Sequence, residues 1–124
     1  DSLVPRVVRN PADSGPLTGV LQIELGSNAS CARVTGGQVR CWGDNQDGEV
    51  GDTTVLNRDL PTVTRNPVDS GPLKNATTLG PGDSHTCAVL ANGQVRCWGD
   101  NSNGQLGNND NPNDTGLPVV VHLN

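Results

Sequence analysis

CARVTGGQVRCWGDNQDGEVG at residues 31–51 and CAVLANGQVRCWGDNSNGQLG at residues 87–107 are one segment written twice, alike at thirteen of twenty-one positions. The offset of 56 residues holds from Pro5/Pro61 through Cys31/Cys87 and Trp42/Trp98 to Gly51/Gly107. Upstream, RNPADSGPL (9–17) and RNPVDSGPL (65–73) differ at a single position. Beyond Gly107 the second copy gains one residue, so Leu60-Pro61 finds its counterpart in Leu117-Pro118. The frame read from this divides the chain into a first repeat at 1–60, a second at 61–117 and the start of a third at 118–124, PVVVHLN. That last run of Val and Leu is a costly exposed edge, and the expectation is that it supplies a strand to a neighbouring blade.

Each copy shows four stretches of strand character. They are Pro5–Val8 or Pro61–Thr64, Val20–Leu25 or Ala76–Leu79, Ser30–Val34 or Thr86–Leu90, and Gln38–Trp42 or Gln94–Trp98. Four short strands recurring at this period describe a propeller blade, a unit that cannot cover both its faces until neighbours stack on it. The third and fourth stretches form a hairpin. Pairing Leu90 with Gln94 leaves the three-residue loop Ala91-Asn92-Gly93, in which Gly93, and Gly37 in the first copy, take the position that needs a positive φ. Counting outward sets Cys87 opposite Cys97 and Cys31 opposite Cys41. Directly opposed positions lie within disulfide reach, so the expected bonds are Cys31–Cys41 and Cys87–Cys97. Zinc is set aside, because nine residues separate the cysteines of each pair and structural zinc sites use much closer pairs.

Composition agrees with an all-β chain of thin core. The 124 residues contain no Phe, Tyr or Met and only two Trp, against sixteen Gly, nine Pro and fourteen Asn. Turns are favoured over helices, and covalent staples are expected to supplement burial. Net charge is −5 with no basic cluster, which argues against a nucleic-acid partner. No apolar run is long enough to insert in a membrane. Even, repeated cysteines point to an oxidising, extracellular location, secreted or at the cell surface.

HTCAVLANGQVRCWGDNSNGQLG, preceded by a Gly-rich step and followed by Leu-Pro-x-x-Val, resembles a repeat of the regulator of chromosome condensation family in its cysteine-bearing bacterial secreted form. The resemblance covers nearly the whole chain, twice. It implies a β-propeller, usually of seven blades, and a role as a protein-binding platform. Two four-stranded antiparallel blades make an incomplete ring, so the chain is expected either to belong to a longer propeller or to assemble with other copies of itself. Two departures stand out: His85-Thr86 is Ala29-Ser30 in the first copy, and Gly-Gln-Leu-Gly becomes Gly48-Glu49-Val50-Gly51.

The remaining candidates are few. Asp44, Asp47 and Asp52 invite a calcium reading, but Gly48 occupies the wrong position for the loop pattern, and a turn built on Gly48 and Gly104 explains both copies. Trp42 and Trp98 alternate away from the cysteines, either to pack between blades or to offer a face to a ligand such as a glycan. Arg40 and Arg96 recur, so either is able to pair with acids of an adjoining blade, where a surface pair contributes little. Asn28, Asn75 and Asn113 lie in glycosylation sequons. No catalytic constellation surrounds His85, and no cofactor is expected. Three readings follow: a secreted protein-binding scaffold whose specificity sits in Thr53–Asp59 and Asn108–Gly116, a subunit of an extracellular ring or filament, and a lectin-like binder.

Overall fold

The computed structural model describes residues 4–68, 70–110 and 113–122. Eight strands build two antiparallel meanders. β1 (Val20–Leu25), β2 (Ala29–Val34), β3 (Gln38–Gly43) and β4 (Arg58–Val63) form the first, and β5 (Ala76–Pro81), β6 (His85–Leu90), β7 (Val95–Gly99) and β8 (Thr115–Val120) the second. Each sheet keeps its strands in chain order.

The hairpin register is the one that the turn length requires. Cys31 stands opposite Cys41 and Cys87 opposite Cys97, each pair at a Cα–Cα distance of 4.1 Å with the sulfurs bonded. At the turns, Gly37 and Gly93 have φ of +69° and +83°, a region that side chains with a Cβ rarely occupy.

The repeat frame read from sequence needs correction. Pro61–Val63 does not open the second blade; it lies in β4, the outer strand of the first sheet, where Cys41 pairs with Thr62. Pro118–Val120 likewise ends β8, paired with β7 through Cys97 and Val119, and is not donated to a neighbour. Leu123 and Asn124 of that segment lie outside the described residues. Pro5–Val8 belongs to no strand of either sheet, and Arg9 next to it makes an isolated bridge with Pro16. The physical reason lies with proline: it lacks an N–H for the ladder and is tolerated on an outer strand, the place that Pro61 and Pro118 take.

The sheets stack face on face. Cys31, Val39, Cys41 and Val50 of the first meet Leu73, Ala76, Leu79 and Trp98 of the second in one buried cluster. Polar groups cross the seam as well. The Gln22 amide donates to Leu79 O at 3.1 Å and accepts from Leu79 N at 3.2 Å, clamping the neighbouring backbone. Cys31 Sγ lies 3.8 Å from Thr86 Oγ1, so the disulfide of the first sheet packs on the second. Non-reducing peptide mapping should return Cys31–Cys41 and Cys87–Cys97 alone. Replacing either pair with serine should cost roughly 2.5–3 kcal/mol by chemical denaturation, the contribution of a short closed loop on the chain-entropy account.

Candidate functional site

Both sheets send their longest loop to the same side: residues 44–57 join β3 to β4, and 100–114 join β7 to β8. Each loop is organised around one enclosed asparagine. Asn45 is 0 % exposed; its Nδ2 donates to Thr54 O at 2.9 Å and Leu56 O at 3.0 Å, and its Oδ1 accepts from Val50 N at 2.8 Å. Asn101, equally enclosed, accepts from Leu106 N at 3.0 Å and donates to Asp110 O. In both cases one side-chain amide supplies the hydrogen bonds that a ladder supplies elsewhere. The backbone N–H groups of the two asparagines are taken by Asn57 Oδ1 at 2.9 Å and Asp114 Oδ1 at 2.8 Å. Gly48 and Gly104 complete the turns at φ of +86° and +75°. Nothing in the sequence singled out Asn45 and Asn101, although their recurrence at the 56-residue offset was a usable signal.

Charge is concentrated here. Residues 44–59 and 100–116 hold eight of the thirteen acids of the chain and one of its eight basic residues, Arg58. The loops lean on each other: Gly116 O accepts from Thr53 N at 3.1 Å. Burial, followed by the neighbouring charges of Asp114, Asp100 and Asp44, pushes the Asp47 carboxyl above the ordinary range. Asp52 moves the other way. Burial alone would raise it, but hydrogen bonds from Thr54 and Arg58 outweigh this, with Arg58 Nε at 2.6 Å and Thr54 Oγ1 at 2.7 Å. Asp52 is therefore an internal strut of the loop. Among the described residues no group of three His, Cys, Asp or Glu side chains is placed to hold a metal ion.

The two tryptophans occupy different surroundings. Trp98 is 0 % exposed and its Nε1 donates to Glu49 O at 2.7 Å across the seam, whereas Trp42 is only partly covered. Glu49 itself is buried, its Oε2 accepting from Asp47 N at 3.0 Å, and burial raises its carboxyl. The second copy places Gln105 there, whose Nε2 donates to Asp100 Oδ2 at 2.6 Å. Arg40 and Arg96 each bond a glutamine two residues before them. Their Nη2 atoms donate to Gln38 and Gln94 of their own sheets, at 2.7 and 3.0 Å. Asn28, Asn75 and Asn113 are exposed.

The profile described as "Regulator of chromosome condensation (RCC1) repeat" matches residues 20–49 and 82–105. Two segments of the chain, one in each sheet, thus carry the regulator of chromosome condensation repeat. The chain is 31% identical over 104 residues to human HERC6, a probable E3 ubiquitin-protein ligase, covering 82% of this chain and 10% of that protein. Human HERC2, an E3 ubiquitin-protein ligase, is 28% identical over 89 residues, which is 72% of this chain and 2% of HERC2. The chain thus spans a tenth or less of these relatives. Among solved structures, human WBSCR16 superposes with a TM-score of 0.72 at 24% identity, over 83% of this chain and 25% of that one. Prp20p from Saccharomyces cerevisiae gives 0.67 at 21%, over 84% and 26%. At such identities these two likenesses show the fold, a β-propeller.

Two expected outcomes test the loop architecture. Asn45→Ala leaves Val50 N and the Thr54 and Leu56 carbonyls short of partners; it should cost about 2–4 kcal/mol and expose 52–57 to limited proteolysis before the rest of the chain. Glu49→Gln should raise the melting temperature by a few degrees at pH 7, about 1 kcal/mol. Because the folded carboxyl is raised, its penalty is absent below the unfolded value of about 4.3 and grows as pH climbs through the folded value. The advantage of the variant should therefore vanish in scans below about pH 4.

Proposed function

We propose that this chain is a non-catalytic, protein-binding scaffold of an oxidising, extracellular compartment, and that it presents its two unequal loops as an acidic face to a basic partner. The observation that carries this reading is the repeated asparagine peg. Asn45 and Asn101 hold loops of different length and sequence on one repeated frame, an arrangement suited to varying the contact surface without altering the support. The variable stretches are Thr53–Asp59 and Asn108–Gly116, of which Asn111 and Pro112 lie outside the described residues. Eight acids on that side favour encounter with a positively charged surface.

The relatives support a scaffold in general terms. Prp20p has been described together with its binding properties to Gsp1p and histones. The ligase activity in the names of HERC6 and HERC2 is a property of proteins of which this chain matches a tenth and a fiftieth, and it is not carried over. Two disulfides that use all four cysteines support the oxidising compartment. A glycan-binding role has less support: Trp98 is enclosed with its N–H engaged and offers no face to a sugar.

Calorimetric titration with a lysine- and arginine-rich peptide tests the reading. Binding is expected at low salt, weakening as salt screens the loops. A variant carrying Asp44→Asn, Asp47→Asn, Asp100→Asn and Asp114→Asn should bind at least about tenfold more weakly, whereas Lys74→Gln should bind as the wild type does. Absence of binding, or equal binding by the quadruple variant, would overturn the proposal.

A further inference from the structure

Charge is divided between the two ends of the strands. Opposite the acidic loops lie the hairpin turns and the segments that lead into β1 and β5, and residues 9–20, 33–40, 62–76 and 88–96 there hold six of the eight basic residues and two of the thirteen acids. On that side an open hollow of about 430 Å³ lies between the segment that joins β4 to β5 and the β6–β7 hairpin. Asn66, Ser70 and Lys74 line it from the connecting segment, Leu90 and Arg96 from the hairpin strands. Every residue of its lining falls between Asn66 and Arg96, within the interior of the chain.

Arg96 sets the chemistry of this hollow. Its Nη2 donates to Gln94 Oε1 at 3.0 Å, which fixes the guanidinium. Its Nε and Nη1 are buried and have no hydrogen-bond partner among the described residues. Buried donors of a cation are costly to leave unmatched, and they call for an acceptor. The first repeat shows a matched version: Arg40, 56 residues earlier, donates its Nη1 to Val39 O at 3.3 Å, and Thr18 stands where the second copy has Lys74. The opposite wall is held in place by Asn66, whose Oδ1 accepts from Val68 N at 3.1 Å and Ser70 N at 3.0 Å and whose Nδ2 donates to Ser70 Oγ at 2.9 Å. The Ser70 hydroxyl is thereby positioned in the lining with its own proton to donate.

We infer that the hollow is a second binding site, which takes the side-chain carboxylate of an acidic peptide segment, with Arg96 and Lys74 as its cations and the Ser70 hydroxyl as a neutral donor. Charge-assisted bonds from a guanidinium to a carboxylate are among the strong ones. Two converging cations match one anionic group, whereas a nucleic acid or an anionic membrane needs a row of them. Pro67 and Leu90 supply apolar wall for the short aliphatic stem of a glutamate or aspartate. No aromatic side chain lines the hollow, so it lacks the ring on which a sugar acid would stack. The division of charge adds direction: an acidic segment is repelled by the loops at 44–57 and 100–114 and drawn to the opposite side. This site is separate from the acidic face and does not rest on it.

Titration of the isotope-labelled, oxidised chain with an acetylated and amidated Gly-Glu-Gly-Glu-Gly peptide, followed by nuclear magnetic resonance, tests this. The Arg96 Nε–H resonance should shift and saturate, while that of Arg40 stays in place. Lys74→Gln, at an exposed position, and Arg96→Gln should each weaken binding at least about tenfold, the loss of one charge-assisted bond. If Arg96→Gln fails to fold by circular dichroism, Lys74→Gln decides. The quadruple loop variant should hold the acidic peptide at least as tightly as the wild type does, which separates this site from the acidic face. A static Arg96 resonance, wild-type affinity in folded Lys74→Gln, or binding of a galacturonic acid trimer in preference to the peptide would overturn the inference.

Discussion

Trp98 reaching across Gly51 to the Glu49 carbonyl is the contact that makes two sheets one structure. A four-stranded sheet of short strands has two faces and encloses neither by itself. The indole supplies the largest fully buried side chain in the protein, and its N–H must find an acceptor once water is excluded. A loop carbonyl of the preceding sheet provides one, so the hydrogen bond fixes the position of the ring and the ring fixes the spacing of the sheets. Gly51 is required for that approach, because a Cβ would occupy space that the indole needs.

With neither Phe nor Tyr nor Met available, the rest of the seam is assembled from small pieces. Val, Leu and Ala line it beside the Cys31–Cys41 bridge, so a disulfide serves as apolar filler as well as a staple. Side-chain amides take on work that a larger core would leave to backbone. Gln22 clamps Leu79 across the seam, and Asn45 and Asn101 hold the loops. Chains poor in large apolar residues can order long connections in this way, since a buried amide satisfies up to four hydrogen-bonding groups at one point.

Hairpin register and cysteine pairing were legible before any coordinates because both follow from a turn length and a period of two. The assignment of Pro61–Val63 and Pro118–Val120 was not. A repeat has no intrinsic first strand, and only the ladder says that these segments close the sheet behind them. Asn45 and Asn101 were hidden by their type, since asparagine in a Gly-rich stretch reads as an ordinary exposed turn residue. The fates of Asp52 and Glu49 depended on the neighbours that the loop brings, Arg58 and the indole of Trp98. The difference between Trp42 and Trp98 is not local at all: the same five residues, CWGDN, surround both, and the stacking of a sheet alone distinguishes them.

That last point gives a repeat chain an internal standard that a single-copy domain lacks. Where two equivalent positions share sequence and local geometry, a difference in burial isolates the effect of the neighbour, as Ile23 and Leu79 do on the back faces. Glu49 and Gln105 differ in chemistry at one place in the repeat, Glu49 enclosed at the seam and Gln105 only partly covered. Burial opposes the Glu49 carboxylate, while Gln105 bonds Asp100 with a neutral amide. Retaining the acid at the seam adds negative charge to a side already crowded with it, which weakens the fold locally. The neutral glutamine at the equivalent place in the other copy, bonded to Asp100, shows that the repeat itself has no need of the charge.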